Sequence, residues 1–255
     1  MRIHRIHTEQ NLQPGLEVVL EGAPAHYLGR VLRVTAGQRV ILFNGDGQDY
    51  AAEVLQTDRR EVALRVAGQR PGLAEPAHGI VVVQALSRGE RLDFTLQKCT
   101  ELGAAGFRLL AAERTELKLR GDKLDRRLQH WRSVVVSACE QCGRARVPFV
   151  RAPLTLAKWL QQEAAARRLV LDPAAAAPLA SVPLPAELEL AVGPEGGFSD
   201  SELALMEAHG VQRVGLGPRT LRTETAGPAA VAILQCLQGD LGAGAPHSAP
   251  GAGQD

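Results

Sequence analysis

Three glycines, a proline and three carboxylates crowd the stretch "LAVGPEGGFSDSEL", Leu190 to Leu203, between an apolar run and the start of a helix. Glycine-rich turns of this kind commonly cradle phosphoryl oxygens with backbone N–H groups. This one is poorly equipped for that. Neither G-x-x-x-x-G-K-[ST] nor G-x-G-x-x-G fits Gly193, Gly196 and Gly197, no lysine follows, and Glu195 and Asp200 put negative charge where a phosphate would sit. The loop suits a ligand with little negative charge, or else is a strand-to-helix turn with spare glycines. Ser199 is placed to cap the helix, Glu202 to complete a capping box, and Phe198 to staple onto Leu203.

Four cysteines stand at 99, 139, 142 and 236, the middle two forming a lone C-x-x-C in "VVVSACEQCGR". Zinc calls for a second ligand pair of similar spacing, and none is present, so buried or boundary thiols in a reducing compartment are expected. The net charge of +1 hides an asymmetry. Arg108 to Arg151 carries 11 Lys/Arg against 5 Asp/Glu, whereas Glu187 to Asp255 carries 3 against 9. A basic middle segment suits either a solvated helix surface or a polyanion, of which nucleic acid is the commonest. In "APAHYLGRVLRV", His26, Arg30 and Arg33 are spaced for one face of a short helix, turned to solvent or RNA.

These groups need a frame to position them. Residues 1 to about 70 alternate as strands do, in "GLEVVL", "QRVILF", "DYAAEVLQ" and "EVALRVAG", with a hairpin turn at "NGDG". "GQRPGLAEPAHG" reads as a linker. Beyond it strands and helices alternate: "IVVVQAL" is a buried strand, "GERLDFTLQKCTEL" a helix, and Leu124, Leu128, Trp131, Val135 and Ala138 mark a long helix. That grammar predicts a mostly parallel sheet with helices on both faces and ligands at the strands' carboxyl ends. "RRLVLDP", "LELAVGPEGG" and "QRVGLGPRTLR" each run from a strand into a proline or glycine turn, so one composite pocket is expected where they meet. No apolar run nears the roughly 20 residues of a membrane span, and "MRIHRIHTEQ" lacks an apolar core behind its basic residues; a cytoplasmic protein is expected.

With these in place, "LQKCTELGAAGF", "ERTELKL", "HWRSVVVSACEQCGR", "LVLDP", "AVGPEGGF" and "LGPRTLRTETA" together resemble the bacterial small-subunit (16S) ribosomal RNA uridine-N3 methyltransferases of the SPOUT superfamily. The resemblance spans nearly the whole chain. It implies an α/β fold, a SPOUT-type parallel sheet with a C-terminal trefoil knot, preceded by a small PUA-like β-barrel. The domains would be a PUA-like RNA-binding domain over 1–70, a linker over 71–78, the methyltransferase domain with its knotted cofactor site over 79–240, and a disordered tail over 241–255. It also implies an obligate homodimer, S-adenosylmethionine as cofactor, and ribosomal RNA or the assembled small subunit as partner; no metal is expected, because the glycine loop is acidic and the sequence offers no ligand cluster. Two rival readings remain: a SPOUT methyltransferase acting on transfer RNA, or a catalytically silent RNA-binding module for ribosome assembly.

On that resemblance the cofactor's apolar adenine and its polar edge would be held by Leu171, Gly193, Glu195, Gly196, Gly197, Leu216, Gly217, Thr220 and Leu221. N3 of uridine becomes a strong nucleophile only as its imide proton leaves and charge spreads to O2 and O4. Arg222 is the expected stabiliser of that charge and Glu224 the expected proton acceptor, unless the two merely brace the fold as an ion pair. Thr223 or Thr225 is expected to cap the last helix, with Gly227 and Pro228 in its first turn. Phosphates would be met by His26, Arg30 and Arg33 and, in the basic segment, by Arg114, Lys118, Arg120, Arg126, Arg144 and Arg146.

Overall fold

The computed structural model describes residues 3–115, 121–163 and 167–242. By backbone proximity the described residues fall into two units: those of 3–75 with 139–147, and those of 76–138 with 148–242.

The first unit is built on a curled five-stranded mixed sheet. Its strands are β1 (Arg5–His7), β2 (Glu17–Glu21), β3 (Arg39–Phe43), β4 (Gln48–Thr57) and β5 (Glu61–Pro71), in the order β1-β3-β4-β5-β2. The β4–β5 and β2–β5 pairings are antiparallel, and β1 runs parallel to β3. The alternation in "EVALRVA" is the cause of its one-sided burial: Val62, Leu64 and Val66 point into the core while Glu61, Arg65 and Ala67 face water. Leu20, Leu42 and Val54 meet them from the neighbouring strands, and Leu28 closes the core from a short helix α1 (Gly22–His26) continued as a π-helical stretch, Tyr27–Leu32. Arg33 ends that stretch in the left-handed conformation, at φ 53°.

Residues 139–147, which the sequence reading places in the second domain, belong to this unit for a definite reason. Cys139 and Ala145, both fully buried, pack with Phe43. The buried Arg5 guanidinium donates to Asp49 at 2.7 Å and to the Arg144 carbonyl at 3.3 Å, and the Arg144 side chain pairs with Glu75.

The second unit holds six parallel strands: β6 (Gly79–Ala85), β7 (Gly106–Ala111), β8 (Phe149–Thr155), β9 (Arg167–Leu171), β10 (Glu187–Val192) and β11 (Gln212–Val214), ordered β11-β9-β10-β6-β7-β8. Both faces are covered, so "IVVVQA" and "LELAV" read as near-continuous buried runs rather than as alternation. The exception is Glu189, 2% exposed in β10, which accepts from Arg168 Nε at 2.7 Å and Trp159 Nε1 at 2.9 Å and pairs with Arg108 at 2.6 Å. The helices are α2 (Arg91–Glu101), α3 (Asp122–Cys142), α4 (Leu156–Leu160), α5 (Asp200–Ala208) and α6 (Thr223–Gln238). In α3 the predicted stripe holds: Trp131, Val135 and Ala138 are buried, Leu124 and Leu128 half-buried. α6 packs on α2, where Gly227 lets the backbones approach; a Cβ there would stand 3.3 Å from Thr95 Cγ2. Pro228 is the sixth residue of α6, so it lies in the second turn and not the first. Among the described residues no helix is long and apolar enough to cross a membrane.

Candidate active site

β9, β10 and β11 are neighbours and parallel, so the three glycine- and proline-bearing loops leave the sheet along one edge. The strand order reverses beside β6, and open parallel sheets bind ligands at such a switch point. After β10 the chain turns tightly: Gly197 N–H donates to Pro194 O at 2.9 Å, Gly197 takes φ +67°, and a Cβ on Gly193 would stand 3.2 Å from Gly197 Cα and Phe198 N. Helix α5 then locks the loop's far end. Ser199 and Glu202 form the complete capping box, and Phe198 and Leu203 join one apolar cluster.

These loops enclose a cavity of about 410 Å³. Of the residues expected at the cofactor, Leu171, Gly193, Glu195 and Gly197 line it from β9 and β10, and Leu216, Gly217, Thr220 and Leu221 from the loop after β11. Gly196 does not. It faces a wider groove alongside, where the aliphatic part of Arg114 covers it. Arg222 and Glu224 both line the cavity wall.

Opposite charges organise the rim. Glu195 accepts from Arg91 Nη1 at 2.6 Å and from the Arg88 N–H at 3.1 Å. Partial burial works to raise its pKa, yet the bonds from backbone N–H groups and from Arg91 outweigh that and hold it below the ordinary carboxylate value. Arg91 also reaches Glu224 at 3.7 Å. Glu224 is therefore tied to α2, not to Arg222, whose exposed guanidinium has no ion-pair partner among the described residues. The expected cap is also replaced: Arg222 occupies the N-cap position of α6 without a side-chain bond. Thr223 instead donates its hydroxyl to Gly193 O at 2.6 Å and accepts from the buried Gln84 at 2.9 Å, fastening the helix start to the glycine loop and to β6.

Sequence reasoning missed Arg91, Gln84, Asp172 and Arg219. Asp172 is buried at the cavity wall, held by Arg213 at 2.6 Å, and Arg219 lines the same wall exposed. Asp172 had a signal in "LVLDP", a carboxylate directly after a buried strand; Arg91 had only its place at a helix start.

The expected phosphate contacts divide. His26, Arg30 and Arg33 are exposed in the first unit, as is Arg146; Arg126 and Arg114 are exposed in the second. Arg114 already donates to Gly196 O at 2.6 Å. Arg144 is a correction: it is 5% exposed and paired with Glu75, which leaves it inside the fold rather than at an RNA surface. Lys118 and Arg120 lie outside the described residues. None of the four cysteines forms a disulfide, and burial pushes the Cys139 thiol up to about 12, which disfavours its thiolate. Among the described residues no group of three His, Cys, Asp or Glu could hold a metal.

A leucine- and glycine-lined cavity with balanced charge, at the switch point of a parallel sheet, is the setting of a nucleoside-cofactor enzyme. Residues 74–235 match the RNA methyltransferase domain family and residues 20–67 the RNA methyltransferase PUA domain. The chain is 36% identical over 228 residues to the ribosomal RNA small subunit methyltransferase E of Synechocystis, spanning 86% of this chain and 73% of that relative. It superposes at TM-score 0.87 and 32% identity on the ribosomal RNA small subunit methyltransferase E of Neisseria gonorrhoeae solved with S-adenosylmethionine, covering 94% and 99% of the two chains. A Legionella pneumophila structure holding the same cofactor superposes at 0.91 with 36% identity, covering 94% and 100%. The chain belongs to the ribosomal RNA small subunit methyltransferase E family.

Proposed function

We propose that the protein transfers a methyl group from S-adenosylmethionine to N3 of a uridine in small-subunit ribosomal RNA. The observation that carries this reading is the 410 Å³ cavity, whose leucines and close-set glycine backbone suit a largely apolar nucleoside; a Cβ at Gly193 would distort the loop that forms it. When bound, the cofactor supplies an electrophilic methyl carbon. Leu171, Leu216 and Leu221 would flank the adenine, and the backbone of Gly193, Gly197 and Gly217 would meet its polar edge.

The protein's own part is to bring the acceptor in line, exclude water and manage one proton. Arg222, which has no ion-pair partner among the described residues, stabilises at the cavity wall the negative charge that develops on the uracil oxygens. Glu224, steadied by Arg91, accepts the imide proton directly or through water. The 1–70 domain and the exposed arginines hold phosphates without reading sequence. The same reading includes a trefoil knot in the C-terminal loops of a 79–240 domain, a homodimer, and action in the cytoplasm.

The test is methylation of small subunits purified from a strain lacking the enzyme, followed by nucleoside mass mapping. N3-methyluridine in the ribosomal RNA is the expected product. Methyl groups found only on ribose oxygens or on transfer RNA, or cofactor binding without transfer, would overturn the assignment.

A further inference from the structure

Helix α2, which supplies Arg91, also carries an aromatic side chain that neither the core nor the cofactor cavity uses. Phe94 is 46% exposed, whereas Phe107, Trp131, Trp159 and Phe198 of the same unit are buried. In a chain with only 4% aromatic residues, a phenyl ring left in water stands out. Phe94 is not on featureless surface. It lines a groove of about 1120 Å³ that adjoins the cofactor cavity, the two sharing Arg91, Glu195 and Glu224 in their walls.

The groove's charge identifies its guest. Among the described lining residues, Arg88, Arg91 and Arg114 are offset by Glu90, Glu113, Glu195 and Glu224, a near balance that does not favour a phosphate backbone. It suits a flat, uncharged group with hydrogen-bonding edges, which is a nucleobase. Arg91 and Phe94 are three residues apart on one helix and so share a face. A base stacked on the ring is thereby presented beside the Arg91–Glu224 pair at the cavity wall. RNA-binding proteins commonly hold splayed-out bases on such aromatic platforms.

We propose that Phe94 is the stacking platform for the acceptor base, a substrate-binding residue that sets the base's plane before transfer. This rests on the methyltransferase function proposed above. The experiment compares wild type with Phe94→Ala, Phe94→Leu and Phe94→Trp, measuring kcat and KM for small subunits from a strain lacking the enzyme. Cofactor affinity by calorimetry and oligomeric state by light scattering are read in parallel. Phe94→Ala and Phe94→Leu are expected to raise the KM for RNA on the order of tenfold, the scale of one lost base stack, while Phe94→Trp stays near wild type. Cofactor affinity and oligomeric state are expected to hold. An unchanged KM in Phe94→Ala, a Phe94→Leu variant as good as Phe94→Trp, or a change of oligomeric state would overturn the inference and leave the methyltransferase reading standing. A wild-type protein that methylates no ribosomal uridine would overturn both.

Discussion

Alanine at Gly193 is expected to cost the protein its cofactor, and alanine at Gly196 is not. The added Cβ at Gly193 would stand 3.2 Å from Gly197 Cα and from Phe198 N, inside the roughly 3.5–4.0 Å of a favourable carbon contact. Both are backbone atoms, and the chain beyond them is held by the buried Phe198 ring and the Ser199–Glu202 capping box, so the loop must move as a body. Overpacking of this kind costs about 1–3 kcal/mol. If the shift falls on the bound geometry, affinity drops roughly ten- to hundredfold, at about 1.4 kcal/mol per decade. At Gly196 the nearest atom is Arg114 Cδ, 3.3 Å away on a flexible side chain, and the residue faces the groove, so affinity should stay within about threefold. Gly197 meets nothing, but its φ of +67° places alanine in the left-handed region at a cost of about 1–2 kcal/mol, read mainly as a lower melting temperature. Titration calorimetry with S-adenosylmethionine and thermal melting of each variant supply both readouts. Wild-type affinity in Gly193→Ala, or greatest damage at Gly196, would show that the loop is a turn and not a cradle.

Arg222→Ala is expected to lower turnover by roughly two orders of magnitude with cofactor affinity nearly unchanged, Arg222→Lys to recover part of it, and rising pH to rescue the alanine variant partly; a changed oligomeric state or loss of cofactor binding instead would make Arg222 a structural brace. Glu195 has a lowered native pKa, so its hold on Arg91 is complete above the ordinary carboxylate value of 4.5 and is lost as pH falls through the lower native value. Cofactor affinity measured by calorimetry should therefore weaken in acid, and Glu195→Gln should be weaker throughout and flatter with pH; parallel pH profiles would refute the link. Reversing Arg126 and Arg146 to glutamate should weaken RNA binding and reduce the salt slope by about one unit per lost phosphate contact, with cofactor binding intact. A filter-binding series over salt concentration checks this, and an unchanged slope would remove both from the interface.

What could be read in the sequence was what depends on near neighbours. Ser199 and Glu202 act within one helical turn, and their capping box is realised, with Phe198 and Leu203 in one apolar cluster beside it. Three strand ends running into proline and glycine announced a shared edge, which the order β11-β9-β10 provides. Distant pairings were invisible. β1 is three residues long, too short for alternation, and exists because β3 lies parallel to it. Arg144 looked like part of a basic surface because its partner, Glu75, is 69 residues away. Arg91 meets Glu195 across 104 residues, and Thr223 meets the Gly193 carbonyl across 30, which diverts the hydroxyl from the capping role its position suggests.

The return of residues 139–147 to the first unit makes the β module a poor candidate for exchange between genes. A fragment ending at Glu75 lacks Cys139 and Ala145, the side chains packed against Phe43, and it separates Glu75 from Arg144. Crossovers in the 71–78 segment would thus import strands without the piece that finishes them.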